Sequence, residues 1–319
     1  MIFETIAAIA TPVGTGGVGI IRLSGPQAFR IAGRLFRMPD EPLSEAKVSI
    51  GFVRDPESGQ KVDEALLLRF PAPRSYTTED VAEIQCHGGA AILEKVLALC
   101  LAEGARLAAP GEFTKRAFLG GRLDLSQAEA IGDLIEARTE RALENAIAQL
   151  EGTLSQALRS SRDRLLDGLA RLEAAIDYPD EIDPPSEGEL ETIFSEAIAV
   201  IEGLLGTARQ GRILREGFHL ALVGEPNVGK SSLLNRLLGT ERAIVTAIPG
   251  TTRDLIEENL RLGGWLFRLS DTAGIRESED PIERLGIERS HRVLEEADGV
   301  LLVVDATASP TACERADLV

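Results

Sequence analysis

The chain has 319 residues, 44% of them apolar and 27% charged, with a formal net charge of −17. That length accommodates two or three domains, each able to bury its own core. The charge argues against a general nucleic-acid binder, because phosphate backbones select basic faces.

The first residues, "MIFETIAAIATPVG", carry Glu4 and no basic n-region, so a signal peptide is not expected there. No apolar run approaches the ~20 residues that cross a bilayer. Cys86, Cys100 and Cys313 are widely spaced and suggest neither a disulfide framework nor a C-x-x-C metal site. A soluble, cytoplasmic protein is expected. The acidity is uneven: residues 1–125 hold 14 Lys and Arg against 15 Asp and Glu, leaving 20 against 36 in the rest. Any RNA contact is therefore expected from the first half or from a partner.

Residues 1–122 read as an α+β domain. "GVGIIRLSG" (17–25) predicts a strand closed by glycine, and "PQAFRIAGRLF" a helix with Pro26 at its start. "VDEALLLRF" (62–70) and "EDVAEIQC" (79–86) predict further strands. Gly88 and Gly89 then lead into a helix over "AAILEKVLALCLAEG". An α-helical domain is expected over 123–213. Ser126 and Glu129 have capping-box spacing, and Leu143, Ile147, Leu150, Leu154, Leu158, Leu165, Leu169, Leu172 and Ile176 mark one face of a long helix broken at most once. "DYPDEIDPPSE" (177–187) ends it. A second amphipathic helix runs from Leu190 through Phe194, Ile198, Ile201 and Leu205 to about Arg209. Two such helices cannot bury their stripes alone, so more helices or a second subunit are expected.

Residues 214–319 read as an incomplete α/β P-loop domain. "FHLALVG" is the continuous apolar run of a parallel strand buried on both faces. "GEPNVGKSS" (224–232) matches G-x4-G-K-[ST] between that strand and a helix. Gly224 and Gly229 permit a tight turn whose N–H groups face inward. Lys230 reaches the β- and γ-phosphates, and Ser231 can ligate Mg²⁺. In "LSDTAG", Asp271 approaches Mg²⁺ through water and Gly274 offers its N–H to the γ-phosphate. Thr251 and Thr252 in "AIVTAIPGTTRD" sit where a switch loop belongs. The three motifs in this order resemble a Ras-like GTPase, many of which carry at the position of Ile275 a glutamine that orients water, so Glu283 is the candidate for that task.

These motifs, with "TIAAIATPVGTGGVGIIRLSG", "SYTTEDVAEIQCHGG", "APGEFTKRAFLGGRLDLSQAEAI", "DYPDEID" and "DTAGIRESEDPIERLGIERS", resemble the MnmE/TrmE family of tRNA-modification GTPases over essentially the whole chain. The resemblance implies an N-terminal domain binding 5-formyl-tetrahydrofolate or a related one-carbon tetrahydrofolate, and a Ras-like GTPase domain inserted in a helical domain. It implies a homodimer formed through the N-terminal domain, and a partner dependent on FAD and NADH that assembles into a heterotetramer. Together they would add an aminomethyl-type group to C5 of the wobble uridine of certain tRNAs, with tRNA held mainly through the complex.

By the same resemblance, Arg22, Glu83 and Arg122 would hold the folate, with Arg122 where lysine is common in relatives. GTP would be bound by Asn227, Val228, Gly229, Lys230, Ser231 and Ser232, by Thr246, Ala247, Ile248, Pro249, Gly250, Thr251 and Thr252, and by Asp271, Thr272, Ala273 and Gly274. Ser231 and Thr252 would ligate Mg²⁺. Asn227, Thr246, Ile248 and Thr251 would ligate K⁺, standing in for an arginine finger. Glu283 would act through water.

No N/T-K-x-D motif follows "GVLLVVDAT", and the expected closing helices and cysteine-containing tail do not follow it either, so a truncated copy or fragment is expected. The alternative function is a folate-binding, dimer-forming scaffold with a non-hydrolysing GTPase remnant.

Overall fold

Period-two alternation carries the first half of the fold. Strand β2 (Gly16–Ser24) buries Ile21 and Leu23 completely while Arg22 between them faces the other side. The structure is a computed structural model describing residues 4–39, 43–224, 228–240, 257–271 and 295–304. The chain divides into two compact units, Met1–Ala128 and Glu129–Val319.

In the first unit, β1 (Ile6–Ile9), β2, β3 (Lys47–Arg54), β4 (Lys61–Phe70), β5 (Val81–Gly88) and β6 (Arg106–Leu107) form a sheet in the order β3-β4-β5-β2-β1-β6. All pairings are antiparallel except β1 with β6. The helices α1 (Ala28–Phe36) and α2 (Ala90–Ala102) pack on one face, around fully buried Ile31, Leu35, Leu67, Ile84 and Val96. Each such side chain contributes about 1.5–3 kcal/mol by leaving water.

The opposite face carries a different set, aligned by register. Val48, Leu68, Glu83 and Arg22 stand side by side across β3, β4, β5 and β2. Ile50 and Leu66 form the neighbouring row, and Val48 and Ile50 are largely exposed. A short helix, α3 (Glu112–Leu119), completes the unit. The strands and helices predicted for residues 1–122 are present; β1, β3, β6 and α3 are additional to them.

One glycine is fixed by crowding rather than by its dihedrals. A Cβ on Gly88 would lie 2.6 Å from the Gly16 carbonyl oxygen and 2.9 Å from that of Val18. Both obstacles are backbone, so Gly88→Ala is expected to cost about 1–3 kcal/mol, read as a lower denaturant midpoint by circular dichroism.

Four helices follow: α4 (Leu125–Glu136), α5 (Glu140–Leu150), α6 (Thr153–Asp177) and α7 (Glu187–Glu216). The expected cap at Ser126 and Glu129 is corrected. Asp124 accepts from the Gln127 N–H at 3.0 Å, and the Gln127 side chain accepts from the Asp124 N–H at 3.0 Å. An earlier carboxylate with the same three-residue reach starts the helix sooner, and Ser126 Oγ donates to Asp124 instead. The long apolar stripe is interrupted at Gly152, which has φ 88° and separates α5 from α6. The helix α7 extends past Arg209 to Glu216. Its start is a reciprocal capping box between Ser186 and Glu189. The pair α6–α7 is antiparallel, with Arg171 bonded to Glu189 at one end and Arg164 to Glu196 further along. Phe194, Ile198, Ile201 and Leu205 of α7 remain exposed.

The second sheet contains β7 (Phe218–Val223), β8 (Glu257–Leu262), β9 (Trp265–Asp271) and β10 (Gly299–Leu302), in the order β10-β7-β9-β8. The strand β7 is parallel to both neighbours, and β8 runs antiparallel to β9. Leu222, Leu260 and Leu269 make its core, and α8 (Lys230–Thr240) packs Leu234 and Leu237 against it. Gly263 and Gly264, with φ 59° and 80°, close the β8–β9 hairpin as a two-residue turn with positive φ at both central positions.

Candidate functional site

Two sites occupy the two units. In the first, cross-strand register brings Arg22 and Glu83 together, and the Arg22 Nε donates to Glu83 Oε1 at 2.7 Å. The pair is only partly solvated, with side-chain exposures of 27% and 15%. Above it, the Arg22 guanidinium lies 5.3 Å from the Tyr76 ring centre and 5.6 Å from that of Phe113. Arg122 reaches the same tyrosine: its guanidinium lies 5.0 Å from the ring centre and donates to the Tyr76 carbonyl at 3.2 Å. The Tyr76 hydroxyl is fixed to Thr114 Oγ1 at 2.9 Å.

Glu83, Tyr76 and Arg122 line one cavity of about 610 Å³ together with the apolar Phe70 and Val81. Glu83 and Arg122, far apart in sequence, meet at this cavity, and Arg22 joins them through Glu83 and the Tyr76 ring. The arrangement combines a carboxylate that can accept paired N–H donors, an aromatic face and guanidinium groups that can take carboxylates bidentately. It fits a flat, donor-bearing ring with an anionic tail. Tyr76 and Phe113 escaped the sequence reading; their signal was "SYTTED" and "GEFTKR", whose aromatic residues alone look like ordinary loop and helix positions.

The cavity wall is anchored from behind. Arg116 is 3% exposed, and its guanidinium donates to Glu79 at 2.9 Å, Glu112 at 3.0 Å and the Glu4 carbonyl at 2.9 Å. Glu79 also accepts from Ser24 Oγ, which bonds Thr77, so the segment carrying Tyr76 is tied to β2 and α3. The neighbouring Arg106, with Arg116 and the Ala109 N–H, holds the Glu112 carboxyl down to about 2, against the pull of burial. Arg116→Met is expected to destabilise the protein by about 3 kcal/mol, because two carboxylates lose their buried partner. Chemical denaturation followed by circular dichroism checks it.

In the second unit, the turn after β7 opens at the carboxyl end of a parallel strand, where α/β sheets bind ligands. A Cβ on Gly224 would lie 2.2 Å from the Val303 carbonyl oxygen, so only glycine fits beside β10. Lys230, the first residue of α8, is 7% exposed, and its ammonium donates to the Gly224 carbonyl at 2.6 Å. Gly229 has φ 103° and its carbonyl accepts from Leu233 N–H. A cation, Gly224, Gly229 and a helix N-terminus thus come together where a phosphate fits. Val228 and Ser232 flank it, on the turn and on α8.

Under the sheet, His219 Nε2 lies 2.9 Å from Ser270 Oγ, and the His219 N–H donates to Asp298 at 3.1 Å. Burial works to raise the Asp298 carboxyl, but the His219 N–H and Arg212 outweigh it and hold it below the usual range. This is a structural network, and His219 lies outside any metal cluster among the described residues. Cys86 and Cys100 are buried, and burial pushes both thiols up to about 12.

Comparison with known proteins follows the same division. The family description "GTP-binding protein TrmE N-terminus" matches residues 5–122, and "MnmE helical domain" matches 125–312. A protein of Streptococcus suis (strain 05ZYH33) named "tRNA modification GTPase MnmE" is 50% identical over 317 residues, spanning 98% of this chain and 69% of its own length. Proteins of the same name from Geobacillus kaustophilus and Symbiobacterium thermophilum are 52% and 53% identical, over 95% and 96% of this chain and 67% and 68% of their own lengths. The chain belongs to the MnmE family of tRNA modification GTPases.

In this MnmE-family chain, the remaining nominated residues are divided by what the structure describes. Asn227, Thr246, Ala247, Ile248, Pro249, Gly250, Thr251, Thr252, Thr272, Ala273, Gly274 and Glu283 lie outside the described residues, as do Ile275, His291 and Cys313. For Ser231 and Asp271 the backbone alone is described, on α8 and at the end of β9. No helix among the described residues is long and apolar enough to cross a membrane.

Proposed function

We propose that this chain is the GTP-binding and hydrolysing component of a complex that adds an aminomethyl-type group to C5 of the wobble uridine in certain tRNAs. A one-carbon tetrahydrofolate occupies its N-terminal unit. The observation that carries the reading is that Glu83 and Arg122 line one cavity, with Arg22 bonded to Glu83, in a chain that also sets Lys230 on Gly224 where a phosphate fits.

Glu83 accepts N–H donors of the pterin ring, Tyr76 covers its face, Arg22 holds Glu83 in place, and Arg122 takes the tail. In the second unit, the sheet order β10-β7-β9-β8 supports a Ras-like P-loop domain. Its sequence range is 214–319, after an N-terminal domain over 1–122 and a helical stretch over 123–213. Lys230 neutralises the β- and γ-phosphates and the helix N-terminus orients them. Ser231 and Thr252 hold Mg²⁺, while Asn227, Thr246, Ile248 and Thr251 hold K⁺. When bound, the two cations neutralise charge on the phosphates. Glu283 orients the attacking water. The exposed apolar rows Val48, Ile50 and Leu66 of β3–β4 favour a homodimer formed through the N-terminal unit. A flavin- and NADH-dependent protein partners this dimer in the cytoplasm and supplies most of the tRNA contact, consistent with the net charge of −17.

The test is phosphate release from GTP and ATP with potassium or sodium as the monovalent ion. Hydrolysis of GTP, stimulated by potassium and not matched by ATP, is expected. Equal rates in both salts with both nucleotides would overturn the enzymatic reading and favour the folate-binding scaffold.

A further inference from the structure

The nominated trio leaves one cation of the cavity without a role. Arg74 lies at its exposed rim, in the segment joining β4 to β5. Its guanidinium donates to the Ser44 carbonyl at 2.6 Å, which holds the side chain in place without cancelling its charge. The segment that carries it is itself tied down. Ala72 N–H donates to Asp80 at 2.9 Å, and Ser75 N–H to the Pro73 carbonyl at 3.0 Å.

Charge around the cavity is unbalanced. Glu83 is matched by Arg22, the partner of its 2.7 Å bond. Among the described residues neither Arg74 nor Arg122 pairs with a carboxylate, and each is steadied by a backbone carbonyl instead. Two fixed positive charges therefore face one cavity in a chain whose net charge is −17. A ligand with a single carboxylate would satisfy one of them. The two guanidinium groups differ in setting, because Arg122 lies over the Tyr76 ring whereas Arg74 is held by the Ser44 carbonyl.

We propose that Arg74 is a specificity-determining residue that takes a second carboxylate of an anionic ligand tail, while Arg122 takes the first. The cavity thereby selects a dicarboxylate tail over one whose outer carboxylate is replaced by an amide. This rests on the tetrahydrofolate reading above. A planar guanidinium matches a carboxylate bidentately, and an amide of the same shape loses both the charge and one acceptor.

The experiment is calorimetric titration of the full chain with 5-formyl-tetrahydrofolate and with its analogue bearing glutamine in place of the tail glutamate. The wild type is expected to prefer the glutamate tail about three- to tenfold, the range for a charge-assisted bond at a partly solvated rim. Arg74→Gln is expected to remove that preference while binding the glutamine-tailed ligand as the wild type does. Arg74→Lys is expected to keep part of the preference, since it keeps charge without the fork. An unchanged preference in Arg74→Gln, or an equal loss for both ligands, would overturn the proposal while the folate reading stands. Binding of neither ligand by a folded wild type would overturn both.

Discussion

Replacing Lys230 by alanine is expected to lower GTP hydrolysis about a thousandfold, the scale on which removal of a fixed donor to a transferring phosphoryl group is felt. The argument is positional. The lysine opens α8, one residue after Gly229, and its ammonium is already drawn across the turn to the Gly224 carbonyl at 2.6 Å. A phosphate oxygen can replace that carbonyl with little movement of the stem. Because the side chain is 7% exposed, its charge acts in a poorly hydrated setting, where it is worth more than in water. Alanine keeps the helix start, so the fold should survive, with a thermal midpoint near that of the wild type. Phosphate release at saturating GTP, with the melt measured on the same preparation, decides the matter. A rate within threefold of the wild type would mean that Lys230 serves the turn and not the phosphate.

How much of this was legible beforehand follows from the range of each interaction. The phosphate turn could be read because its parts are adjacent: Gly224, Gly229 and Lys230 fall within one loop and one helix start, and local spacing fixes their geometry. The reason Gly224 tolerates no side chain could not be read, since it is the Val303 carbonyl just past β10, a contact set by sheet order. The same contrast holds in the first unit. That residues 17–25 and 79–86 form strands was plain, whereas the register that sets Arg22 against Glu83 depends on how antiparallel strands align, with one slip moving every side chain to the other face. Tyr76, Phe113 and Arg74 were silent because nothing in a short loop or a short helix says which residues will cover a distant strand. The helix start at Asp124 has a local cause. Asp124 and Ser126 both offer side-chain oxygens to a helix start, and the earlier carboxylate wins.

The second large effect concerns Glu83. Glu83→Gln is expected to weaken binding of 5-formyl-tetrahydrofolate about ten- to a hundredfold, as one or two charge-assisted bonds become neutral ones and one acceptor becomes a donor. The substitution conserves volume, so the row Val48, Leu68, residue 83 and Arg22 should keep its register. Arg22 loses its carboxylate but remains over Tyr76 and Phe113, at 5.3 and 5.6 Å from their ring centres. The loss of stability should therefore be small, about 1 kcal/mol for a partly solvated pair. A double-mutant cycle separates direct contact from mere support of the arginine. If Glu83 only positions Arg22, then Glu83→Gln will cost nothing further once Arg22→Gln is present, because the group it orients is gone. If Glu83 accepts donors from the ligand itself, most of its effect will persist in the Arg22→Gln background. Persistence is the expected result, since Arg22 engages Glu83 Oε1 through its Nε alone and Glu83 itself lines the cavity. Wild-type affinity in Glu83→Gln would remove the carboxylate from the binding site.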